Sequence, residues 1–443
     1  MTRTGIAVTA MLAGTLLAPL NSSMVAVALA PIGQEFALPP GTTTWVVTVF
    51  YLTACVCQPV LGRVADRIGP RRLFAAGMAV AAVASAVATT ATSLPVLVLC
   101  RGVQAAGVSA AFPCAVLVIR RSGEVRRLTA VATANTTAGA VGPVLGGLLT
   151  AWAGWRAVFW VNLPIMLVAL VLAWRAIGPD ERRSGRRAAL DPLGVLLFAA
   201  AVVALLDLML GRSWPAAVVL VVAATGFLWW ERRAAAPFVD VRALAAAPGL
   251  VPVLGTFVLF NLAYYGAFYG LPSWLQNTLG YDAAAAGLLV MPIAASSVVV
   301  TVAGGRVAGR WTLPLSGCLL LIGVAALATF GPGTPAWLIV LDGVVLGIPY
   351  GLCNLGLQRL MYERAPERMS GVVAGLFQSA RYVGAILAVG VVGAIGALRP
   401  LALVMTVVAA AVIGVLAFDL RRSGSSGVAS PGQDPGRTLW ARP

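Results

Sequence analysis

Hydrophobic positions in this chain neither alternate nor trace one helical face; they come as long unbroken runs parted by short polar breaks. About 20 apolar residues cross the hydrocarbon of a bilayer. The runs at 6–31, 43–61, 73–92, 94–119, 128–152, 157–177, 192–210, 214–230, 249–272, 284–304, 311–330, 335–357, 369–397 and 399–419 therefore predict 14 spanning helices. The seventh and eighth are short, with only Gly211-Arg212-Ser213 between them. The densest polar break is Gly62-Arg63-Val64-Ala65-Asp66-Arg67-Ile68-Gly69-Pro70-Arg71-Arg72-Leu73, four arginines and one aspartate punctuated by glycine and proline. Glycine and proline permit a tight reversal there, and Asp66 can accept hydrogen bonds from arginine or a helix N-terminus. A shorter echo, Gly305-Arg306-Val307-Ala308-Gly309-Arg310, predicts a second turn of the same kind, with Gly309 where the first has Asp66.

Charge sorts the breaks into two sets. All 31 basic residues are arginine; 26 fall on one side of the alternating spans, three on the other (Arg156, Arg212, Arg399), and two inside spans (Arg101, Arg381). The positive-inside rule then predicts both termini in the cytoplasm and an even number of helices. The run after Arg3, ending in Ala28-Leu29-Ala30, is too long for a cleaved leader and is read as the first helix. A chain that is 60% hydrophobic, 10% charged and of mean hydropathy +0.92 holds no sizeable soluble domain. Its net charge of +16 is spread over loops, so no nucleic-acid partner is expected. The absence of histidine removes the commonest general base and a common metal ligand. The six cysteines sit in apolar runs without metal-site spacing, so neither an enzyme nor a metal or other cofactor is expected. No Walker A sequence occurs, and no ATPase subunit is called for.

Landmarks recur about 240 residues apart. Asn21 answers to Asn261, Leu-Cys-Arg-Gly at 99–102 to Val-Leu-Asp-Gly at 340–343, and Gly62-Arg63-Val64-Ala65 to the stretch from Gly305. This predicts six-helix bundles at 1–177 and 249–420, joined by cytoplasmic linkers at 178–191 and 231–248 around two inserted helices at 192–230, with a disordered cytoplasmic tail at 421–443. Arg101 and Asp342 then sit at similar depth in equivalent spans. An ionisable group inside hydrocarbon seeks a protein-lined or wet cavity, so the pair is expected at a shared centre, or else each locks its own half. Asp207 is a further carboxylate, near Arg212.

Several of these stretches resemble signatures of the major facilitator superfamily. Residues 62–73 are similar to its loop between spans two and three, and Arg101-Gly102-Val103-Gln104-Ala105-Ala106-Gly107 to its span-four signature. Gly139-Ala140-Val141-Gly142-Pro143-Val144-Leu145-Gly146-Gly147 looks like the span-five signature of its proton-driven exporters. With 14 spans, the nearest resemblance is to the drug:H+ antiporter-2 group of multidrug and antibiotic efflux proteins. That resemblance implies an all-α polytopic fold, alternating access in a bacterial inner membrane, and a monomer acting on a small molecule and protons. It makes Gly62, Asp66, Arg67, Gly69 and Arg71 gate residues. The bulk-free Gly139, Gly142, Gly146 and Gly147, with Pro143 bending the helix, allow close helix contact that can open or seal a pathway.

One position departs from the pattern. Where the group carries an acid in span one, Leu20-Asn21-Ser22-Ser23 has an amide, which cannot exchange a proton. Coupling then moves to Asp342 or Asp207, with Arg101, Asn21 and Arg381 around the centre, or the cargo differs from the usual cations. Asn261, Tyr265, Phe268 and Tyr269 share a face of span nine beside Tyr264. Asn261, Tyr264, Tyr265, Phe268 and Gln104 are the expected substrate wall, suited to varied amphipathic ligands. A proton-coupled exporter of drugs, antibiotics or secondary metabolites is the expected function. An importer or uniporter of a neutral metabolite, or a non-transporting membrane receptor or assembly protein, are the alternatives.

Overall fold

The computed structural model describes residues 3–38, 42–121, 127–176, 191–209, 213–246 apart from 236, 238 and 240, then 249–303, 312–364 and 370–425. In lipid a backbone must satisfy its own polar groups, and the apolar runs do so as helices. The first eight are α1 (Arg3–Glu35), α2 (Trp45–Ile68), α3 (Pro70–Ala88), α4 (Leu94–Val108), α5 (Ala111–Arg121), α6 (Arg127–Ala153), α7 (Ala157–Trp160) and α8 (Asn162–Ala176). The rest are α9 (Pro192–Met209), α10 (Pro215–Glu231), α11 (Val241–Ala246), α12 (Leu250–Asn277), α13 (Ala283–Ala303), α14 (Thr312–Leu327), α15 (Ala336–Arg364), α16 (Ser370–Ile395) and α17 (Leu398–Ser425). Gly69 alone separates α2 from α3: it takes φ 90° and ψ 150°, open to glycine alone, and Pro70 starts the next helix where no N–H is needed.

The expected 14 spans, arranged 6+2+6, are not what the chain builds. Ten helical segments among the described residues are long and apolar enough to cross a membrane. They are Thr9–Glu35, Thr42–Gly62, Pro70–Ala88, Leu94–Ile119, Ala157–Ala176, Leu250–Asn277, Ala283–Ala303, Ala336–Met361, Phe377–Ile395 and Leu398–Ala417. Four other runs form shorter apolar helices: Thr137–Ala153, Pro192–Leu205, Pro215–Glu231 and Thr312–Leu327. At 1.5 Å rise per residue, α10 and α14, of 17 and 16 residues, reach roughly 26 Å or less, short of the ~30 Å hydrocarbon core. Counting every apolar run as a span ignored that shortfall.

Packing repeats itself. α1 lies on α6 and α8, as α12 lies on α16 and α17; α4 joins α2 to α3, as α15 joins α13 to α14; and α3 meets α8 as α14 meets α17. The two sets meet along α6–α13, α2–α16 and α1–α12, while α9 and α10 pack chiefly on each other. At one end of the body Glu35 forms an ion pair with Arg156 (2.7 Å) and accepts a hydrogen bond from Trp155 Nε1 (2.6 Å). At the other end the Arg71 guanidinium lies 4.3 Å over the Trp174 ring and donates to the Trp174 carbonyl (2.9 Å). Trp152 and Trp160 project outward at the first end and Trp174 at the second, as aromatic rings do at both faces of a bilayer.

Candidate functional site

Between the two sets of helices lies a cavity of ≈ 210 Å³. Its wall residues on α6 (Asn135, Gly139), α13 (Ala294, Ser297, Thr301), α15 (Tyr350, Asn354, Gln358) and α16 (Phe377, Gln378, Arg381, Tyr382) fall in the halves of those helices away from Glu35. α12 contributes Tyr264, Tyr265 and Phe268, and α2 contributes Phe50, Tyr51 and Gln58. Six of the chain's eight tyrosines gather here. Tyr51 Oη and Tyr269 Oη are hydrogen-bonded at 2.8 Å, and Tyr265 Oη and Tyr350 Oη at 3.3 Å. The Tyr264 and Tyr350 rings stack at 4.1 Å, and Gln58 Nε2 donates to Tyr382 Oη (2.8 Å). Serine and threonine hydroxyls, amides and one arginine complete the polar wall; among the described residues no aspartate or glutamate lines it.

Of the expected wall, Tyr264, Tyr265 and Phe268 face this space. Asn261 does not: it is fully buried, its Nδ2 donates to the Phe257 carbonyl (2.7 Å), and its Cβ packs where α16 has Gly384. Gln104 is also elsewhere, in the shell of Arg101. That arginine, fully buried on α4, donates from Nη1 to Asn21 Oδ1 (2.8 Å) and Gln104 Oε1 (2.6 Å) and from Nε to the Val46 carbonyl (3.2 Å). Its guanidinium sits 4.3 Å over the Phe50 ring, and Gln104 passes the chain on to Ser85 Oγ (2.6 Å). The amide at Asn21 thus does supply the oxygen that an acid would have supplied, without the charge. Asp342 is 4% exposed on α15, with Oδ1 turned toward Gly323 of α14 and Oδ2 without a protein partner. Neither Arg101 nor Asp342 lines the cavity; Arg381 does. Asp207 accepts a short hydrogen bond from Ser213 across the α9–α10 turn.

The glycine series of α6 lies where helices touch. A Cβ on Gly142 would collide with Ser23, and one on Gly146 would lie 2.7 Å from the Met24 backbone, both on α1. Gly147 abuts the Ala283 carbonyl and Gly287 the Pro143 carbonyl, so α6 and α13 meet backbone to backbone across the two sets. Gly139, with Pro19 Cβ at 3.9 Å, has ordinary room. With Gln276 Nε2 donating to the Val27 carbonyl (3.0 Å) and the Tyr51–Tyr269 pair, these contacts close the cavity toward Glu35. Gly62 faces Pro113 at an ordinary 3.7 Å. The side chains of Asp66 and Arg67, and the turn at 305–310, lie outside the described residues. The tyrosines and glutamines of α2, α15 and α16 were missed in the sequence; their signal was the scarcity of such residues within apolar runs.

A family model described as the Major Facilitator Superfamily matches residues 11–389. The chain belongs to the major facilitator superfamily. This facilitator is 35% identical over 407 residues to the uncharacterized MFS-type transporter YwoD of Bacillus subtilis, covering 87% of this chain and 88% of the relative. It is 31% identical to the multidrug resistance protein Stp of Mycobacterium tuberculosis (85% and 73% covered). To the methylenomycin A resistance protein of Streptomyces coelicolor it is 27% identical (88% and 85%). Among solved structures, an auto inhibited POT family peptide transporter superposes with TM-score 0.65 at 16% identity, covering 96% of this chain and 98% of that one; this likeness speaks to the fold. The facilitator is a multi-pass protein of the cytoplasmic membrane, a transporter working by alternating access rather than an enzyme.

Proposed function

We propose that this facilitator exports small amphipathic aromatic compounds and couples that export to proton entry. The observation that carries the proposal is the tyrosine-rich cavity: flat apolar faces with scattered hydroxyls and amides, closed on the Glu35 side. Resistance and multidrug names among the relatives support the same cargo class. Asp342 is the residue we assign to the proton. It is a buried carboxylate with one oxygen unpartnered by protein, and it can act without competing for the cavity. Arg101 with Asn21 and Gln104 would be the rigid pivot on the other side. Asp66, Arg67 and Arg71, with the α6 glycines, would be the gate, and the protein would act as a monomer.

Inverted membrane vesicles carrying the protein test direction and coupling together. Uptake of an aromatic dye should follow an imposed pH gradient, collapse with an uncoupler, and fall at least tenfold in Asp342→Asn. Full gradient-driven uptake in that variant would remove Asp342 from the coupling role. Uptake indifferent to the gradient would favour the second reading, a uniporter of a neutral metabolite, to which the amide at Asn21 lends weight.

A further inference from the structure

Two arginines lie inside the predicted spans, and they differ in what they face. Arg101 is held by three oxygen acceptors and the Phe50 ring, with Nη2 left unpartnered, and it does not line the cavity. Arg381 stands on the cavity wall, hydrogen-bonded to Tyr382 with its guanidinium 5.1 Å from that ring, while its Nε has no protein acceptor. Among the described residues no carboxylate pairs with it, and none lines the cavity. A full positive charge therefore faces a cavity closed on the Glu35 side and is balanced by neutral dipoles, where an arriving anion gains a charged partner.

We infer that the cavity selects compounds joining an aromatic body to a carboxylate or equivalent acidic group. Arg381 receives the anion through its planar donor fork. Tyr264, Tyr265, Tyr350 and Phe268 take up the ring system. Cages of aromatic rings often hold cations. Here a cation is already built in beside the Tyr382 ring, and a second would meet its repulsion with no carboxylate in the wall to offset it. A volume of ≈ 210 Å³ suits a body of one or two fused rings. The inference rests on the export reading above and narrows its cargo.

Three matched probes separate the possibilities: naphthoate, its methyl ester and naphthylmethylamine, each measured by equilibrium dialysis against the purified full-length protein at neutral pH. Naphthoate should bind about tenfold or more tightly than the ester, and the amine most weakly. Arg381→Gln should remove the preference, bringing naphthoate to about the ester's level, and Arg381→Lys should keep the preference for the acid. Equal binding of acid and ester by the wild type, or an acid preference intact in Arg381→Gln, would overturn the inference. If Arg381→Gln fails to fold, the order among wild type and Arg381→Lys decides alone. The same probes in inverted vesicles keep the two claims apart. Acid-selective binding without gradient-driven uptake sinks export and leaves the cargo class standing, whereas uptake of the ester or amine with no acid preference does the reverse.

Discussion

Arg101 illustrates how one buried side chain can hold a bundle together without an ion pair. It joins α1 through Asn21, α2 through the Val46 carbonyl and its own helix through Gln104, so two amide oxygens depend on a single guanidinium. Arg101→Ala would leave the Asn21 and Gln104 amide oxygens buried and short of a donor, at about 1–3 kcal/mol each. The expected outcome is a fall in thermal stability of the purified protein of several degrees or more. Arg101→Lys, which keeps the charge but not the fork, should fall between. A variant as stable as the parent would show that the network is ornamental. Gly69 makes a different demand: its φ of 90° with ψ of 150° excludes a side chain without strain. Gly69→Ala should cost about 1–3 kcal/mol, read as reduced yield of folded protein, whereas Gly62→Ala, with 3.7 Å to its nearest neighbour, should be close to neutral.

Between helices, the decisive feature is a seam of bare backbone. Gly147 against Ala283 and Gly287 against Pro143 let α6 and α13 approach more closely than any side chain allows, while packing within each set does not depend on them. Gly147→Val or Gly287→Val should therefore yield a folded protein whose transport is lost, and Gly139→Ala should transport normally, because its neighbour stands at 3.9 Å. A transporting Gly147→Val variant would remove the seam from the cycle. Much of this was legible beforehand. Unbroken apolar runs announce membrane helices, the turn at Gly69-Pro70 announces its own reversal, and the glycine series of α6 announces close contact. What could not be read was how much of each run would stay both helical and apolar: among the described residues ten of the 14 predicted spans are long and apolar enough to cross. Nor could spacing along α12 show which of its polar residues face inward. Asn261 shares a helical face with Tyr265, yet bonds back to its own helix against Gly384. The cavity wall draws on eight helices, α1, α2, α4 to α6, α12, α13, α15 and α16 counting α4 and α5 as the single broken run Leu94–Ile119, and only their mutual packing decides which rings meet.

Alternating access requires that the contacts closing the Glu35 side be weak enough to exchange for an equivalent set at the other end. The closure consists of neutral hydrogen bonds, Tyr51 with Tyr269 and Gln276 with the Val27 carbonyl, laid over the glycine seam. Each such bond contributes about 0.5–1.5 kcal/mol net, and a change of 1.4 kcal/mol moves a two-state population by about tenfold. Tyr269→Phe should therefore raise labelling of a cysteine placed in the cavity, by an impermeant thiol reagent applied from the Glu35 side, several-fold. Locking the same closure should have the opposite effect. With Val27 and Gln276 both replaced by cysteine in a background freed of the six native cysteines, a short bifunctional thiol reagent should arrest transport, and cleaving the cross-link should restore it. Arrest follows only if this end must part in every cycle. A cross-linked protein that transports at the parental rate would mean that the cavity empties without the two sets of helices moving apart on this side, and the exchange of closures between the two ends would have to be abandoned.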